Sequence, residues 1–303
     1  MVVELSQVCK HFNQDVRALN GLDLVLNEGQ VLGLFGHNGA GKTTTIKLIL
    51  GLLTPTSGKV RVLGEDPVTC PQIKSALGFL PENVRFYDEL TGREVLHYFA
   101  KLKGVNTAQG DELLEQFQLE HALNRPVKTY SKGMRQRLGL AQAMLGSPRL
   151  LLLDEPTVGL DPVATKQFYQ QVERLKNQGC TLIICSHVLP GIEHYIDKAL
   201  IMSQGHALVQ GSVHDLNAQA NLPLELELNL AADAHDLPAQ IHGEISRSQV
   251  AGGWLIKVDP KQQVSAMGQL TQLPRLQRLL ARAPSLDDLY HYYIQRSSPG
   301  VAS

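Results

Sequence analysis

The stretch Gly36-His37-Asn38-Gly39-Ala40-Gly41-Lys42-Thr43-Thr44 decides the fold, because it fits the phosphate-binding loop pattern G-x-x-x-x-G-K-[ST] at every fixed position. The apolar run at residues 31–35 predicts a buried strand before it, and residues 43–50 predict a helix after it. This pattern requires a strand, a loop and a helix in that order. The stretch therefore predicts a polyphosphate site at the start of a helix.

Each residue type in this loop has a physical task. The glycines let successive N–H groups turn inward toward anionic oxygens, and the helix N-terminus adds its partial positive charge. Lys42 is expected to reach the β- and γ-phosphates, and the hydroxyl of Thr43 is expected to ligate Mg²⁺.

Length and charge limit the other function classes. The chain has 303 residues, enough for one major domain and a smaller appendage. Its 28 basic and 29 acidic residues leave a net charge of -1, which disfavours nucleic acid or anionic lipid as the main partner. No apolar run approaches the ~18 residues of a membrane span, and no leader pattern is present, so we expect the chain in the cytosol.

The cysteines carry no site pattern. Their spacing matches neither a zinc site nor a secreted disulfide framework, so we expect reduced structural thiols at Cys9, Cys70, Cys180 and Cys185.

Two carboxylates end a strand that is apolar throughout. Residues 150–153 are all leucine, a pattern typical of a strand buried on both faces in a parallel sheet, and Asp154 and Glu155 follow. Asp154 suits a water-mediated contact to Mg²⁺, and Glu155 is placed to accept a proton from the water that attacks the γ-phosphate. Ordinary strand-end acids are the alternative, but the phosphate loop favours the catalytic interpretation.

Other polar or aromatic residues flank predicted elements near the same edge. Glu82 follows the strand at 77–80, and His187 follows the strand at 181–185, where a parallel sheet binds its ligands. His187 is a structural turn residue or a γ-phosphate contact. Ser131 is a simple helix cap or part of an anion site, and Phe12 is a core residue or a platform for a purine base.

The remaining pattern gives the domain organisation. Residues 2–8 and 22–26 predict an antiparallel edge, and residues 198–203 and 206–210 predict a closing hairpin. A helical subdomain is expected at about 85–147, with its apolar faces on Val95, Leu96, Phe99, Leu102, Leu113, Leu114 and Phe117.

The ATP-binding domain is expected to end near residue 220, and residues 221–303 to form a small α+β domain. Its predicted strands lie at 224–230, 254–258 and within 273–281. Its last helix carries one apolar stripe, a docking face for its own domain or for another chain, on Leu286, Leu289, Tyr290, Tyr293 and Ile294.

From about residue 3 to residue 211 the chain resembles an ATP-binding cassette (ABC) ATPase, because separate motifs occur in the order of that family. The resemblance implies a P-loop NTPase of ABC type, with a mixed sheet core, an antiparallel edge and a helical signature subdomain. It assigns adenine stacking to Phe12, the Walker A loop to Gly36–Thr44, the signature to Ser131, Lys132, Gly133 and Met134, the Walker B pair to Asp154 and Glu155, the D-loop to Asp161 and the switch histidine to His187.

The family pattern implies a head-to-tail dimer of two copies, in which Ser131 of one copy caps the nucleotide held by the other. ATP binding would join the copies and hydrolysis would part them, moving a separate membrane permease. The chain would then sit at the cytoplasmic face of the inner membrane as a peripheral subunit.

At two positions the sequence departs from the common ABC motifs, and both variants resemble those of cassettes of the ABC-2 export branch. Glu82 stands where many relatives carry a glutamine that ligates the metal, and the signature reads Ser131-Lys132-Gly133-Met134. Glu82 either meets Mg²⁺ directly or mainly transmits a signal to the membrane subunit.

Within that branch, four stretches resemble the cassettes that serve maturation of the copper enzyme nitrous-oxide reductase: residues 33–39, 80–84, 130–137 and 285–293. The resemblance implies a permease, a periplasmic partner protein and a copper or sulfur species as cargo. One alternative is an ABC-2 drug or polyketide exporter, which shares every catalytic residue. The other, a soluble ABC protein acting on ribosomes or DNA, is disfavoured by the single cassette, the absence of heptads and the balanced charge.

Overall fold

The structure is a computed structural model that describes residues 1–12, 16–230, 237–250, 253–274 and 276–297. The chain divides into two units, Met1–Gln210 and Gly211–Ser303. Up to this boundary the helices and strands are, in chain order, β1 (Val3–His11), β2 (Arg17–Leu26), β3 (Val31–Phe35), α1 (Lys42–Ile49), β4 (Ser57–Val62), β5 (Leu77–Leu80), α2 (Gly92–Lys103), α3 (Ala108–Gln116), α4 (Lys132–Met144), β6 (Leu150–Asp154), α5 (Pro162–Asn177), β7 (Thr181–Ser186), β8 (Lys198–Ser203) and β9 (His206–Gly211).

A six-stranded sheet in the order β5-β6-β7-β3-β8-β9 carries the phosphate loop. Strands β5, β6, β7, β3 and β8 run parallel to one another, and every residue of β3 and β6 is buried. Burial on both faces explains why these strands are apolar throughout. Since Phe35 is level with Ser186 and Asp154 with Cys185, the carboxyl ends of β3, β6 and β7 meet at one edge.

The predicted antiparallel pairing of the first strands is confirmed. They form a three-stranded sheet in the order β2-β1-β4, separate from the six-stranded sheet. Its inward side chains, Leu5 and Leu24 among them, share one hydrophobic core with Leu48 and Ile49 of α1. Helix α1 is therefore held between the two sheets by its apolar side.

The helical subdomain begins with a reciprocal cap on α2. The Thr91 side chain accepts from Glu94 N–H, Glu94 accepts from Thr91 N–H, and Gly104 ends the helix at φ 70°. The prediction that Leu102 faces the core is wrong, because this side chain is 65% exposed. The buried stripe is centred on Leu96 and Ala100, so Leu102 lies past its edge.

The second unit is an antiparallel sheet with helices. Its helices and strands are α6 (Val213–Ala220), β10 (Leu224–Leu230), β11 (Glu244–Val250), β12 (Gly253–Val258), α7 (Gln263–Thr271), β13 (Leu276–Arg282) and α8 (Leu286–Ser297). The strand order is β11-β12-β10-β13. Strands β10 and β12 confirm two predictions, and β13 overlaps the third but ends one residue beyond it, whereas β11 and α7 were not predicted. Strand β11 is an edge strand with mostly exposed, polar residues, so it lacks the alternation that marks a half-buried strand.

Helix α6 belongs to the second unit, ten residues earlier than the sequence places the boundary. The Tyr293 hydroxyl of α8 donates to Leu216 O of α6 at 3.3 Å, and Leu286 and Leu289 are buried. The stripe on the last helix therefore serves its own domain.

All the cysteines are free thiols, as predicted. Burial raises the pKa of Cys180 to about 11 and also raises that of Cys185, which keeps both thiols protonated. A helix able to span a bilayer is absent from the part of the chain that the structure describes.

Candidate functional site

The phosphate loop opens into a cavity of about 360 Å³ at the carboxyl edge of the six-stranded sheet. The cavity is lined by most of the predicted loop together with three elements distant in sequence, namely Phe12, Val16, Arg17, Ala18, His37, Asn38, Gly39, Gly41, Lys42, Thr43, Thr44, Glu82 and Glu155. The structure thus brings most residues of the predicted nucleotide site into one place.

Two glycines of the loop are required by their surroundings. A Cβ on Gly41 would lie 2.7 Å from a Leu19 methyl and 2.8 Å from Ala18 O, and its φ of 108° is left-handed. A Cβ on Gly36 would lie 2.6 Å from Met202 O. The loop is therefore packed tightly against β2 and the end of β8 on its protein side.

Lys42 is buried and folded back on its own loop. Its ammonium donates to Gly36 O at 2.6 Å and lies 3.4 Å from Glu155 Oε1, with both side chains less than 10% exposed. In the free protein, Glu155 is therefore the charged partner of Lys42.

Asp154 and Thr43 form the predicted metal corner. The Thr43 hydroxyl donates to Asp154 Oδ2 at 3.2 Å, while Oδ1 is buried without a hydrogen-bond partner among the described residues. Burial raises the pKa of Asp154, and the charges of Glu155 and Glu82 raise it further, against the opposing hydrogen bond from Thr43. A buried carboxylate oxygen without a partner, beside a hydroxyl, is a donor set that suits Mg²⁺.

Glu155 is held from two sides and has an unusual backbone. His187 Nδ1 lies 2.9 Å from its Oε2, and the His187 N–H donates to the same oxygen at 3.2 Å. Its φ of 48° is left-handed, which is rare for a residue with a side chain. The position of the carboxylate is thus fixed by its neighbours at the sheet edge.

The His37 imidazole contacts its own loop and the end of β8. Nδ1 lies 2.7 Å from Asn38 O and Nε2 lies 3.2 Å from Ser203 Oγ. Both ring nitrogens are thus in hydrogen-bond contact with protein oxygens.

The first three residues of the predicted signature and the D-loop Asp161 line a different cavity, of about 350 Å³. The Ser131 side chain accepts from Met134 N–H at 3.2 Å, and the Asp161 side chain accepts from Ala164 N–H at 2.8 Å, so both residues cap helices. Lys132 and Gly133 line this second cavity with them, and none of the four lines the cavity at the phosphate loop.

Phe12 is not a core residue, because its side chain is 55% exposed at the mouth of the loop cavity. The Lys10 ammonium lies 5.4 Å from the ring centroid. An exposed ring at this position can stack on a base, and the structure excludes the core alternative.

Gln136 was not predicted as a site residue, although it lies in the signature stretch. It is buried, and its Nε2 donates to Pro156 O at 2.7 Å, directly after Glu155. No sequence pattern shows this contact, because it joins α4 to the end of β6 only in the fold.

A groove of about 500 Å³ lies beside the loop cavity, and its lining includes Glu82, Val84, Tyr130, Arg135 and Gln136. Glu82 lines both the groove and the loop cavity. Arg135 Nε is buried without a hydrogen-bond partner among the described residues. The groove is therefore lined in part by the Arg135 side chain and shares Glu82 with the nucleotide site.

Within the described residues there is no group of three or more histidine, cysteine, aspartate or glutamate side chains that could hold a metal by themselves. A cation at Asp154 would therefore need ligands from water or from phosphate oxygens, which is how Mg²⁺ is usually held beside a nucleotide.

Known proteins match this chain along nearly its whole length. A model of the ABC transporter family matches residues 19–158. The bacitracin transport ATP-binding protein BcrA of Bacillus licheniformis is 34% identical over 278 residues, covering 91% of this chain and 89% of that protein. The Nod factor export ATP-binding protein I of Rhizobium etli is 31% identical over 295 residues, covering 95% of this chain and 92% of that protein.

A solved structure, of an ATP-binding subunit of an ABC transporter, superposes with a TM-score of 0.66 and 30% sequence identity. It covers 72% of this chain and 93% of that one.

Proposed function

The chain belongs to the ABC transporter family as an ATP-binding subunit, and from this premise we propose that two copies hydrolyse ATP between them to drive a separate export permease. The observation that carries the proposal is the division of the site. Ser131, Lys132, Gly133 and Asp161 line one cavity and the phosphate loop lines another. A single copy therefore presents two half-sites, and a head-to-tail second copy would complete each of them.

Mg²⁺ fits the corner beside the phosphate loop. Thr43 and the buried, unpartnered Asp154 Oδ1 would hold it, with Glu82 at the edge of the cavity as a further oxygen ligand. When bound, the ion would neutralise part of the phosphate charge.

The residues of this chain have separate tasks in the reaction. Lys42 and the loop amides bind the β- and γ-phosphates, and Phe12 stacks on the adenine. A water oxygen bonds to the γ-phosphorus, the bond from that phosphorus to the bridging oxygen of ADP breaks, and the released proton goes to Glu155. His187 contacts the γ-phosphate and holds Glu155 in place.

The Glu155 carboxylate is paired with the Lys42 ammonium at 3.4 Å. Phosphate oxygens compete for the Lys42 ammonium, so nucleotide binding would leave Glu155 available to the water.

The permease is expected to dock in the groove beside the loop cavity. What supports this is the size of the groove, about 500 Å³, and Glu82, which lines both the groove and the loop cavity. Docking there would place the chain at the cytoplasmic face of the inner membrane as a peripheral subunit.

For the cargo we propose maturation of nitrous-oxide reductase, with a copper or sulfur species carried by a permease that works with a periplasmic partner protein. The support is the similarity of residues 33–39, 80–84, 130–137 and 285–293 to NosF, the ATPase of that system. The second candidate is a drug or polyketide exporter of ABC-2 type. It is supported by two relatives that are named for bacitracin transport and Nod factor export.

One experiment tests both the transporter function and the proposed cargo. The Glu155→Gln variant is purified with ATP from solubilised membranes of the native host, grown without oxygen on nitrous oxide or nitrate, and the bound chains are identified. A permease recovered together with a periplasmic repeat protein supports the nitrous-oxide-reductase assignment. A permease of drug-exporter type alone refutes that assignment and leaves the ATPase, whereas recovery without any permease refutes the transporter proposal. The control is the same purification without nucleotide.

A further inference from the structure

The turn between β8 and β9, Met202 to Gly205, touches the phosphate loop at three points. Met202 O lies 2.6 Å from where a Cβ on Gly36 would be, Ser203 Oγ lies 3.2 Å from His37 Nε2, and Gly205 N–H donates to Ala40 O at 3.1 Å. This turn is distant in sequence from the loop, because Ser203 and His37 are 166 positions apart.

The turn itself has little freedom to move. Gly205 O accepts from Asn20 N–H at 2.9 Å, and a Cβ on Gly205 would lie 2.9 Å from Ala18 O. Its φ of 79° is left-handed, as is the φ of 48° at Gln204. A turn held by β2 in this way can serve as a rigid support for the loop.

The contacts of His37 fix its tautomer. Asn38 O can only accept a hydrogen bond, so Nδ1, at 2.7 Å from it, carries the proton. In the neutral ring Nε2 is then the acceptor, and it accepts a hydrogen bond from the Ser203 hydroxyl at 3.2 Å. Ser203 is buried, at 9% exposure, which limits competition from water for this bond.

This arrangement orients one peptide group of the loop. The carbonyl of Asn38 is bonded to the imidazole, and in a planar trans peptide the next N–H points the opposite way. The Gly39 N–H is therefore directed away from the imidazole. Both residues line the cavity where the phosphates bind, so an amide in this orientation is available to a phosphate oxygen.

We propose that Ser203 is a positioning residue of the nucleotide site, which holds the His37 ring and thereby presents the Gly39 amide to the terminal phosphates of ATP. This inference rests on the proposed ATP-binding function. His37 then acts through its backbone neighbours, and its imidazole is not itself a phosphate ligand.

The test compares Ser203→Ala and Ser203→Thr in the full chain, with Ser75→Ala as a matched control whose hydroxyl donates to Gln72 O far from the loop. Removing one neutral hydrogen bond is worth about 0.5–1.5 kcal/mol, so Ser203→Ala should raise the KM for ATP about three- to tenfold. We expect kcat to change less than about twofold, Ser203→Thr to retain the wild-type KM, and the control to match wild type.

A double-mutant cycle separates positioning from a general loss of stability. In a His37→Ala background the Ser203→Ala change should have no further effect on KM, because the residue through which it acts is absent. A Ser203→Ala protein with wild-type KM, or with the same fold-change in both backgrounds, overturns the inference. A wild-type chain that does not bind ATP overturns the proposed function as well, so the two failures are distinguishable.

Nuclear magnetic resonance of the ¹⁵N-histidine-labelled wild type gives an independent readout that needs no Ser203 variant. The His37 signal, assigned with His37→Gln, should show the Nδ1–H tautomer. An Nε2–H tautomer in the nucleotide-free protein refutes the inference.

Discussion

Replacement of Glu155 by glutamine should uncouple nucleotide binding from hydrolysis and also change the stability of the empty site. The variant loses the group that accepts the proton of the attacking water, so kcat should fall at least about 100-fold. Binding of ATP should persist, because Lys42 and the loop amides are unchanged. ATP-dependent dimers should therefore accumulate, measured by analytical ultracentrifugation with and without ATP.

The stability change follows from the buried pair. Lys42 and Glu155 are 7% and 8% exposed and 3.4 Å apart, so removing the carboxylate leaves a buried ammonium without its nearest counter-ion. Breaking such a pair costs about 3–5 kcal/mol, and we expect about 2 kcal/mol here because Lys42 keeps its bond to Gly36 O and the neighbouring charge of Asp154. For a domain of about 200 residues this lowers the Tm by about 4–8 °C.

Bound ATP should remove the Tm difference between the variant and the wild type, since the triphosphate replaces the carboxylate as the partner of Lys42. Thermal unfolding is measured for both proteins without nucleotide and with excess ATP. The matched control is Glu89→Gln, which breaks an exposed pair with Lys128 at 2.8 Å and should leave the Tm within about 1 °C. Turnover within threefold of wild type, or an unchanged Tm for the nucleotide-free variant, would refute the assigned role of Glu155.

Three further perturbations test other parts of the site. Phe12→Ala should weaken ATP binding by about 1–3 kcal/mol while Phe12→Tyr retains it, measured by calorimetry with the exposed Tyr87→Ala as control; equal affinity for all four proteins would exclude stacking. Because burial raises the pKa of Asp154 above 3.8, the folded state binds more protons there, so the unfolding free energy should fall as pH rises from 3.8 through the raised pKa. Urea titrations at several pH values should show a smaller fall of the unfolding free energy with pH in the Asp154→Asn variant. An identical pH dependence in the variant and the wild type would contradict the raised pKa of Asp154. Gln136→Ala leaves the carbonyl of Pro156 without its donor and should cost about 1–3 kcal/mol of stability and reduce turnover, whereas a neutral effect on both would remove Gln136 from the site.

Much of the site could be predicted from sequence because its chemistry is local. The glycines and Lys42 stand in one loop, and Asp154 and Glu155 follow one apolar strand, so residue type and order were sufficient. The parallel sheet then places these acids beside the loop. Local pattern also predicted β10 and the cap at Ser131.

Other features depend on contacts that no local pattern encodes. Gln136 and Ser203 act through single hydrogen bonds between elements far apart in the chain. Strand β11 is polar and lies at an edge, so its pairing with β12 and not its composition makes it a strand. Leu102 was misplaced because the apolar spacing does not show where the buried stripe of α2 is centred.

The placement of the phosphate loop and the signature residues in separate cavities has a kinetic consequence. If each ATP needs residues from two copies, the rate per subunit in dilute solution should rise with protein concentration, because encounter of the copies enters the rate law. Once two copies are attached to one permease, that attachment sets their effective concentration. The rate per subunit should then no longer depend on the protein concentration. Free subunits in the cell would then consume little ATP, and hydrolysis would be concentrated where the permease is assembled.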